Sequence, residues 1–444
     1  MEHKNPLQYS SDEIGELLRL WRNYKGLSIE NLAEMSKVST GTISKIERGI
    51  SNGNKYEVLI EVLELNSNAI NTITAVFNQI ATKLDRIDTV IDSGNTKSAL
   101  SLLKDIEKDI YPGTYLYLKG SCFLVDKDFN KAKHFFEKSI EKATPFEMNI
   151  KAVSYNELSR CEYLQNDLDK ALHYIIKAEA NLSRRGPKQY YHYTVPINKA
   201  IYLDKLGHFT EAANIVNKLW SSNTKEIQPI DMLLNLYELK IGLCSNSAQY
   251  QQAIQISLEG IELARINYQY NRLFELWTTL GNVYFKMGKW AEAEDCFITA
   301  LSLENKVTQR ILTPVYVELC TLYMKKNCLN EAKQWIEKAI KVSQKEKDLF
   351  RLSKALLASG NLLLCMNDLD KAIDKYREAE EIAKSWGYSH VEFDVIMKIA
   401  EAYRLRGNFE DTRLFHLYTE RLLDLQLEFR SKEVIPCEYI DSSF

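Results

Sequence analysis

Small residues recur along most of the chain at a nearly constant interval of about 40 positions. Segments with apolar residues three and four apart surround them, which is typical of amphipathic helices. A small side chain lets two helices cross closely. The recurring residues are Ala99, Ala132, Ala171, Ala212, Ala253, Ala293, Ala332, Ala372 and Thr412, separated by 33, 39, 41, 41, 40, 39, 40 and 40 positions. The pattern predicts about nine helical hairpins over residues 79–425, followed by a capping or loose tail over 426–444.

One of these hairpins carries a specific set of packing residues. They are Trp277, Leu280, Gly281 and Tyr284 in the first helix, and Ala293, Phe297 and Ala300 in the second. This spacing is the tetratricopeptide pattern. Such hairpins bury their apolar faces by stacking, so the resemblance implies a right-handed superhelix whose concave groove is lined mainly by the first helix of each hairpin.

The first 66 residues follow a different pattern. Ile14, Leu17, Leu18 and Trp21 form a helical stripe, and the segment 25–49 then reads as two short helices joined by a turn. Ser28 and Ser39 are placed to cap these two helices. The segment resembles the lambda-repressor-like (Xre-type) helix-turn-helix DNA-binding domain. We therefore expect an all-α protein with a DNA-binding domain over residues 1–66 and a helical linker over 67–78.

The Xre-type resemblance implies specific roles for several residues. Arg22 and Glu47 are expected to form an internal ion pair, and Lys37, which stands where the family often has glycine, is expected at positive φ. The second helix of the motif is expected to enter the major groove of a double-stranded DNA operator. The residues expected to contact DNA are Lys37, Ser39, Thr40, Gly41, Thr42, Ser44, Lys45 and Arg48.

The chain is close to neutral overall, and an excess of basic side chains is found in the helix-turn-helix segment. The chain has 57 Lys and Arg against 60 Asp and Glu, so it is not a histone-like basic protein. Residues 37–55 contain four basic side chains and only Glu47 as an acid. One modestly basic domain neutralises few phosphates and binds weakly, which favours a homodimer on two half-sites.

The combination of an Xre-type domain, a short helical link and long tetratricopeptide units resembles the RRNPP family of Gram-positive peptide-pheromone receptors. Its NprR-like, PlcR-like and arbitrium-receptor-like members are the most similar in length and repeat number. The resemblance implies a cytoplasmic quorum-sensing transcriptional regulator in which a short signalling peptide in the concave groove controls DNA binding. The alternative is a protein-binding regulator, either response-regulator phosphatase-like or a scaffold, whose groove holds a partner protein.

Asparagine side chains suit the capture of an extended peptide, because each offers one donor group and one acceptor to a peptide unit. Asn282 and Asn361 hold the same place in their hairpins, directly after Gly281 and Gly360. Aligning the hairpins on the tetratricopeptide pattern gives the residues expected to contact peptide, with Asn198 one position off the aligned places. They are Asn156, Arg160, Asn198, Asp204, Asn235, Glu238, Asn282, Lys286, Asn361, Glu401 and Arg404.

Motifs for other chemistry are missing from the sequence. We find no H-x-x-x-H or C-x-x-C pair, no phosphate-binding G-x-x-x-x-G-K-[ST] loop and no G-x-S-x-G elbow. We therefore expect no catalytic activity, no metal and no cofactor, and we expect the eight cysteines to be reduced thiols. The start of the chain has no signal-peptide pattern, and no run of 18 apolar residues indicates a membrane partner.

Overall fold

The computed structural model describes residues 11–50, 55–106, 111–165, 167–222, 227 and 229–433. Every regular element in these ranges is a helix, so the expected all-α class is confirmed. The expectations for Cys437 and most of the tail lie outside the described residues. The chain divides into two compact units, Met1–Phe209 and Thr210–Phe444, which we call unit 1 and unit 2.

Unit 1 begins with five helices. These are α1 Ser11–Tyr24, α2 Ile29–Ser36, α3 Thr40–Glu47, α4 Lys55–Leu63 and α5 Ser67–Asp92. Leu17, Leu32, Ile43 and Leu59 meet in one core between the first four helices, each fully buried. We call α1–α4 the head.

Local capping fixes the ends of α2 and α3 as the sequence predicts. The Ser28 side chain accepts a hydrogen bond from the Asn31 backbone N–H, and Ser39 does the same for Thr42. These bonds satisfy N–H groups that the first helical turn leaves without partners. Lys37 ends α2 at φ 56°, as expected, a conformation that costs a non-glycine residue roughly 1 kcal/mol.

Helical hairpins follow in both units. The remaining helices of unit 1 are α6 Thr96–Leu103, α7 Pro112–Val125, α8 Phe129–Lys142, α9 Ile150–Leu164, α10 Leu168–Ala180 and α11 Tyr191–Leu206. Next comes α12 Phe209–Ser221. Unit 2 continues with α13 Ile230–Asn246, α14 Tyr250–Ile266, α15 Tyr270–Lys286, α16 Trp290–Leu301, two short 3₁₀ turns at Glu304–Lys306 and Gln309–Ile311, α17 Leu312–Lys325, α18 Leu329–Lys345, α19 Leu349–Cys365, α20 Leu369–Trp386, α21 Ser389–Arg406 and α22 Phe409–Glu433.

In two hairpins of unit 2 a glycine of the first helix faces an aromatic ring of the second. A Cβ atom added at Gly281 would lie 2.5 Å from the ring of Phe297, and one at Gly360 would lie 2.3 Å from the ring of Tyr376. These glycines are therefore required by close packing. The eight predicted alanines are all at most 1 % exposed, which confirms their place at the helix crossings.

The ninth position departs from this pattern. Thr412 is exposed, so the expectation that it packs like the alanines is wrong. Asp411 is buried instead and accepts two hydrogen bonds from Arg406, at 2.9 and 2.6 Å. No hairpin follows α22 within the described residues, so the face that carries Thr412 has no further helix to cover it.

Candidate nucleic-acid and peptide-binding surfaces

The outer face of α3 carries the side chains expected to read DNA. Ile43 and Ile46 point into the head core and fix the orientation of the helix. The opposite side is open: Lys37, Ser39, Thr40, Gly41, Lys45 and Arg48 are exposed, while Thr42 and Ser44 are half-buried. An exposed helix N-terminus with neighbouring cations favours phosphate groups.

A buried ion pair supports this face from behind. Arg22 Nε and Nη2 donate to the two carboxylate oxygens of Glu47 at 2.7 and 2.9 Å, as the sequence resemblance implied. Arg22 Nη1 also donates to the Leu27 carbonyl at 2.7 Å. Because Glu47 is neutralised internally, Lys45 and Arg48 are not offset by the acid between them.

In unit 1 the structure brings three predicted peptide residues together. Asn198 Nδ2 donates to Asn156 Oδ1 at 3.0 Å, and Asn156 Nδ2 donates to Glu157 at 3.0 Å. Arg160 donates to the same carboxylate at 2.6 Å, and the Tyr191 hydroxyl does so at 3.3 Å. Both asparagines are buried, so their amides already have partners inside the protein, whereas half of the Arg160 side chain is exposed.

The environment of this network shifts the acidity of its members. The carboxylate of Glu157 raises the pKa of Arg160 above its usual range. Burial raises the pKa of Tyr202, whose hydroxyl lies 3.3 Å from Ser159 Oγ. Asp204, the fourth predicted residue in unit 1, is half-buried, and burial raises the pKa of its carboxyl. The network therefore pairs the Arg160 cation with the Glu157 carboxylate, beside hydroxyl groups that stay neutral.

In unit 2 the equivalent residues Asn282 and Asn361 differ in the hydrogen bonding of the side-chain oxygen. The Tyr376 hydroxyl, which packs against Gly360, donates to Asn361 Oδ1 at 2.8 Å. The equivalent ring beside Gly281 is a phenylalanine and has no hydroxyl to offer. Among the described residues, Asn282 Oδ1 is consequently buried without a hydrogen-bond partner. An unpaired buried acceptor is costly, and a ligand N–H would satisfy it.

The other predicted residues of unit 2 have varied surroundings. Lys286 donates to Asn246 Oδ1 at 2.8 Å, and Glu401 accepts from Lys398 at 2.8 Å. Asn235 is buried, Glu238 lies within electrostatic range of Arg272, and Arg404 is exposed.

Sequence reasoning missed two carboxylates on the first helices of the hairpins. Glu157 is the centre of the unit 1 network, and Glu318 on α17 lies within electrostatic range of Lys286 and Lys354. Burial raises the pKa of Glu318. Both residues occupy the same place in their hairpins as Asn198, so the recurrence of polar residues at that position was the signal that could have identified them.

The described residues show neither a metal site nor a membrane-spanning helix. No group of three or more His, Cys, Asp or Glu side chains is arranged to hold a metal ion. Within the same ranges, none of the helices combines the length and apolar character needed to cross a membrane.

Comparison with known families assigns a class to both parts of the chain. Residues 18–54 match the helix-turn-helix family, and residues 274–306 match the tetratricopeptide repeat family. The chain thus joins a helix-turn-helix domain to tetratricopeptide-like repeats. A curated relative, the BBSome complex member BBS4 homolog of Drosophila melanogaster, is 25 % identical over 221 residues. That match covers 49 % of this chain and 42 % of the relative, so the chain spans less than half of its length.

Solved structures share the fold over most of the chain. A Rap protein complexed with Competence and Sporulation Factor matches with a TM-score of 0.63 and 16 % identity, over 80 % of this chain and 99 % of its own. The apo quorum sensor NprR from B. thuringiensis matches with a TM-score of 0.57 and 19 % identity, over 79 % and 99 %. NprR in complex with its cognate peptide NprX matches with a TM-score of 0.55 and 17 % identity, over 77 % and 99 %. The predicted fold is confirmed by these structures, and the two family matches confirm the predicted helix-turn-helix and tetratricopeptide parts.

Proposed function

We propose that this protein is a cytoplasmic quorum-sensing transcriptional regulator. It binds a double-stranded DNA operator through the outer face of α3, and a short signalling peptide bound by the first helices of its repeats controls that binding. It acts as a homodimer and performs no catalysis. The likeness of the fold to a Rap protein complexed with Competence and Sporulation Factor and to NprR in complex with its cognate peptide NprX supports the ligand class.

The observation that carries the DNA-binding part is the solvent-open face of α3. Six of the eight predicted contact residues are exposed on α3, at its two ends or at the end of α2, although Ile43 and Ile46 of α3 are fully buried or nearly so. A helix held by its back face with polar and basic groups outward fits the major groove. The internal Arg22–Glu47 pair removes the nearest negative charge from that face.

The peptide-binding part is supported by the polar groups of the first helices. Asn282 has a buried acceptor without a partner among the described residues, and Asn361 Oδ1 accepts a hydrogen bond from Tyr376. An extended peptide carries a row of N–H and C=O groups that matches such amides. Arg160, held in place by Glu157, provides a half-exposed cation for a carboxylate of the ligand.

DNA binding is tested by selection from a pool of random duplexes with the full-length protein. We expect enrichment of a sequence with two half-sites, and we expect Lys45→Ala to weaken binding of that sequence roughly five- to tenfold. Lys97→Ala, which removes an exposed lysine outside the head, should leave affinity unchanged. A selection without sequence enrichment, or equal losses in both variants, contradicts the assignment.

Peptide binding is tested by incubating the full-length protein with a defined pool of random hexapeptides and identifying the retained ones by mass spectrometry. We expect a small set of related peptides, and we expect Asn282→Ala combined with Asn361→Ala to abolish their retention. Asn267→Ala is the matched control, because Asn267 is an exposed asparagine of unit 2 in a helix-ending turn. Retention that survives the double substitution refutes the role of these asparagines.

The alternative of a protein-binding regulator is favoured by one feature of unit 1. Asn156 and Asn198 bond to each other and are thus less available to a peptide backbone. If the repeats hold a partner protein of the response-regulator class, the purified chain should accelerate loss of phosphate from a phosphorylated response regulator. No acceleration at equimolar protein removes support for this alternative.

A further inference from the structure

The head of unit 1 shares its core with the repeats. Tyr111, just before α7, and Phe146, just before α9, both pack against the buried cluster of the head. Ile70 and Ile73 of α5 belong to the same cluster. The segment expected to be a linker therefore contributes core side chains to the head.

Two loops beside this core are tied together by side-chain to backbone bonds. Glu147 accepts hydrogen bonds from the N–H groups of Gly113 at 3.1 Å and Thr144 at 2.9 Å, which joins the start of α7 to the loop before α9. Asn149, in the same loop, donates to the carbonyls of Arg185 and Pro187, each at 3.0 Å. The loop before α11 is consequently held against the loop before α9.

The loop before α11 also reaches back to α5. Lys188 Nζ lies 2.8 Å from Asp88 Oδ2, a contact between residues 100 positions apart. The two side chains are 21 % and 29 % exposed, so solvent screens the pair only in part. Lys188 Nζ also lies 5.3 Å from the centre of the Tyr117 ring. Tyr191, three residues along the chain, donates to Glu157 and so belongs to the network of Asn156 and Asn198.

Helix α5 is continuous and has one buried apolar face from its start in the head to its end beside the repeats. Its large buried residues Ile70, Ile73, Ile80, Leu84, Ile87 and Ile91 follow one face at spacings of three, four or seven positions. Its 26 residues include no glycine or proline, and a straight helix of that length is about 39 Å long. The helix therefore runs without a break from Ile70 and Ile73 in the head core to Asp88.

We propose that Lys188 and Asp88 are positioning residues for the DNA-binding head. Their bond fixes α5 against the polar network of α9 and α11, and α5 carries that position into the core behind α3. The head then moves with the first repeats rather than on a free linker. This inference goes beyond the proposed function. Its test uses the protein without DNA or peptide, so it can fail while the proposed function holds, and the reverse.

Hydrogen exchange of the full-length protein, read by mass spectrometry, tests the proposal. In Lys188→Met we expect amides of α1 and α4 to exchange about tenfold faster, the change that loss of one charge-assisted hydrogen bond produces in a local opening equilibrium. Amides of α13–α22 should keep wild-type rates. Lys188→Arg, which preserves the charge, should restore protection of the head.

Two further variants separate loss of the Lys188–Asp88 pair from a general effect of removing a lysine. Lys170→Met removes a lysine from an exposed pair with Asp167 at 2.7 Å in the same unit and should change nothing in the head. Asp88→Asn removes the other charge with almost no change in volume and should reproduce the effect of Lys188→Met even if the latter folds poorly. Wild-type exchange of α1 and α4 in Asp88→Asn, with faster exchange confined to residues 183–190, overturns the proposal.

Discussion

Substituting Phe297 by tyrosine should give the Gly281 hairpin the same hydrogen bond that Tyr376 makes to Asn361 in the Gly360 hairpin. Phe297 and Tyr376 lie sixteen residues after Gly281 and Gly360, and each ring packs on its glycine. Tyr376 also donates to Asn361 Oδ1 at 2.8 Å. Since the helical register is the same, the new hydroxyl of Phe297→Tyr should reach Asn282 Oδ1, which has no partner among the described residues.

The magnitude follows from the energetics of buried polar groups. A new intramolecular hydrogen bond stabilises a protein by about 0.5–1.5 kcal/mol, and satisfying an existing buried acceptor places the gain at the upper end. We therefore expect Phe297→Tyr to raise the free energy of unfolding by about 1 kcal/mol. The reverse change, Tyr376→Phe, should lower it by about 1–2 kcal/mol because it leaves Asn361 Oδ1 unpaired.

Urea unfolding of the full-length protein, followed by circular dichroism, measures both changes as midpoint shifts at constant slope. The same substitution in an Asn282→Ala background provides the control, because the hydroxyl then has no amide to bind and the gain should disappear. A destabilised Phe297→Tyr, or an equal gain with and without Asn282, would refute this explanation of the unpaired acceptor. In a peptide-binding assay, Phe297→Tyr should also weaken retention of ligand by competing for the same oxygen.

Three further changes test the fold and its ion pairs. Gly281→Ala introduces a Cβ 2.5 Å from a fully buried ring and should lower the free energy of unfolding by about 1–3 kcal/mol; an unchanged urea midpoint contradicts the tight crossing. Glu47→Ala strands Arg22 in the head core and should destabilise the head by about 3–5 kcal/mol, seen as loss of exchange protection in α1–α4; retained protection contradicts a structural role for the pair. The hydrogen bonds from Arg406 hold the pKa of the Asp411 carboxyl below its ordinary value of 3.8. The ionised carboxylate therefore stabilises the fold fully above pH 3.8, and this stabilisation is lost as the pH falls through the lowered pKa. The stability difference between wild type and Asp411→Asn should accordingly shrink below about pH 4, and a difference that is constant from pH 6 to pH 3 contradicts the linkage.

Features set by local sequence could be predicted. Ser28 and Ser39 cap their helices, because each cap depends on residues within three positions along the chain. The positive φ of Lys37 followed from the Xre-type resemblance. The tight helix crossings followed from the recurrence of small residues at Ala293 and its equivalents. The Arg22–Glu47 pair was available from the Xre-type resemblance, although its residues are 25 positions apart.

Features set by distant side chains could not be predicted. The pairing of Asn156 with Asn198 joins residues 42 positions apart and depends on how neighbouring hairpins stack. The contrast between Asn282 and Asn361 depends on one hydroxyl of a facing helix, a difference that the alignment of the asparagines alone does not reveal. The sequence pattern predicts a boundary at residue 78, where the repeats begin, whereas α5 and its apolar stripe continue across that position.

The central claim is that occupancy of the repeats changes DNA binding by the head. The most direct measurement is the fluorescence anisotropy of a labelled, selected operator bound to the full-length protein while a retained peptide is added. We predict a shift in operator affinity of about fivefold or more, in either direction, that is absent in the Asn282→Ala and Asn361→Ala double variant. An operator affinity that stays constant while the peptide saturates the wild-type protein would contradict it.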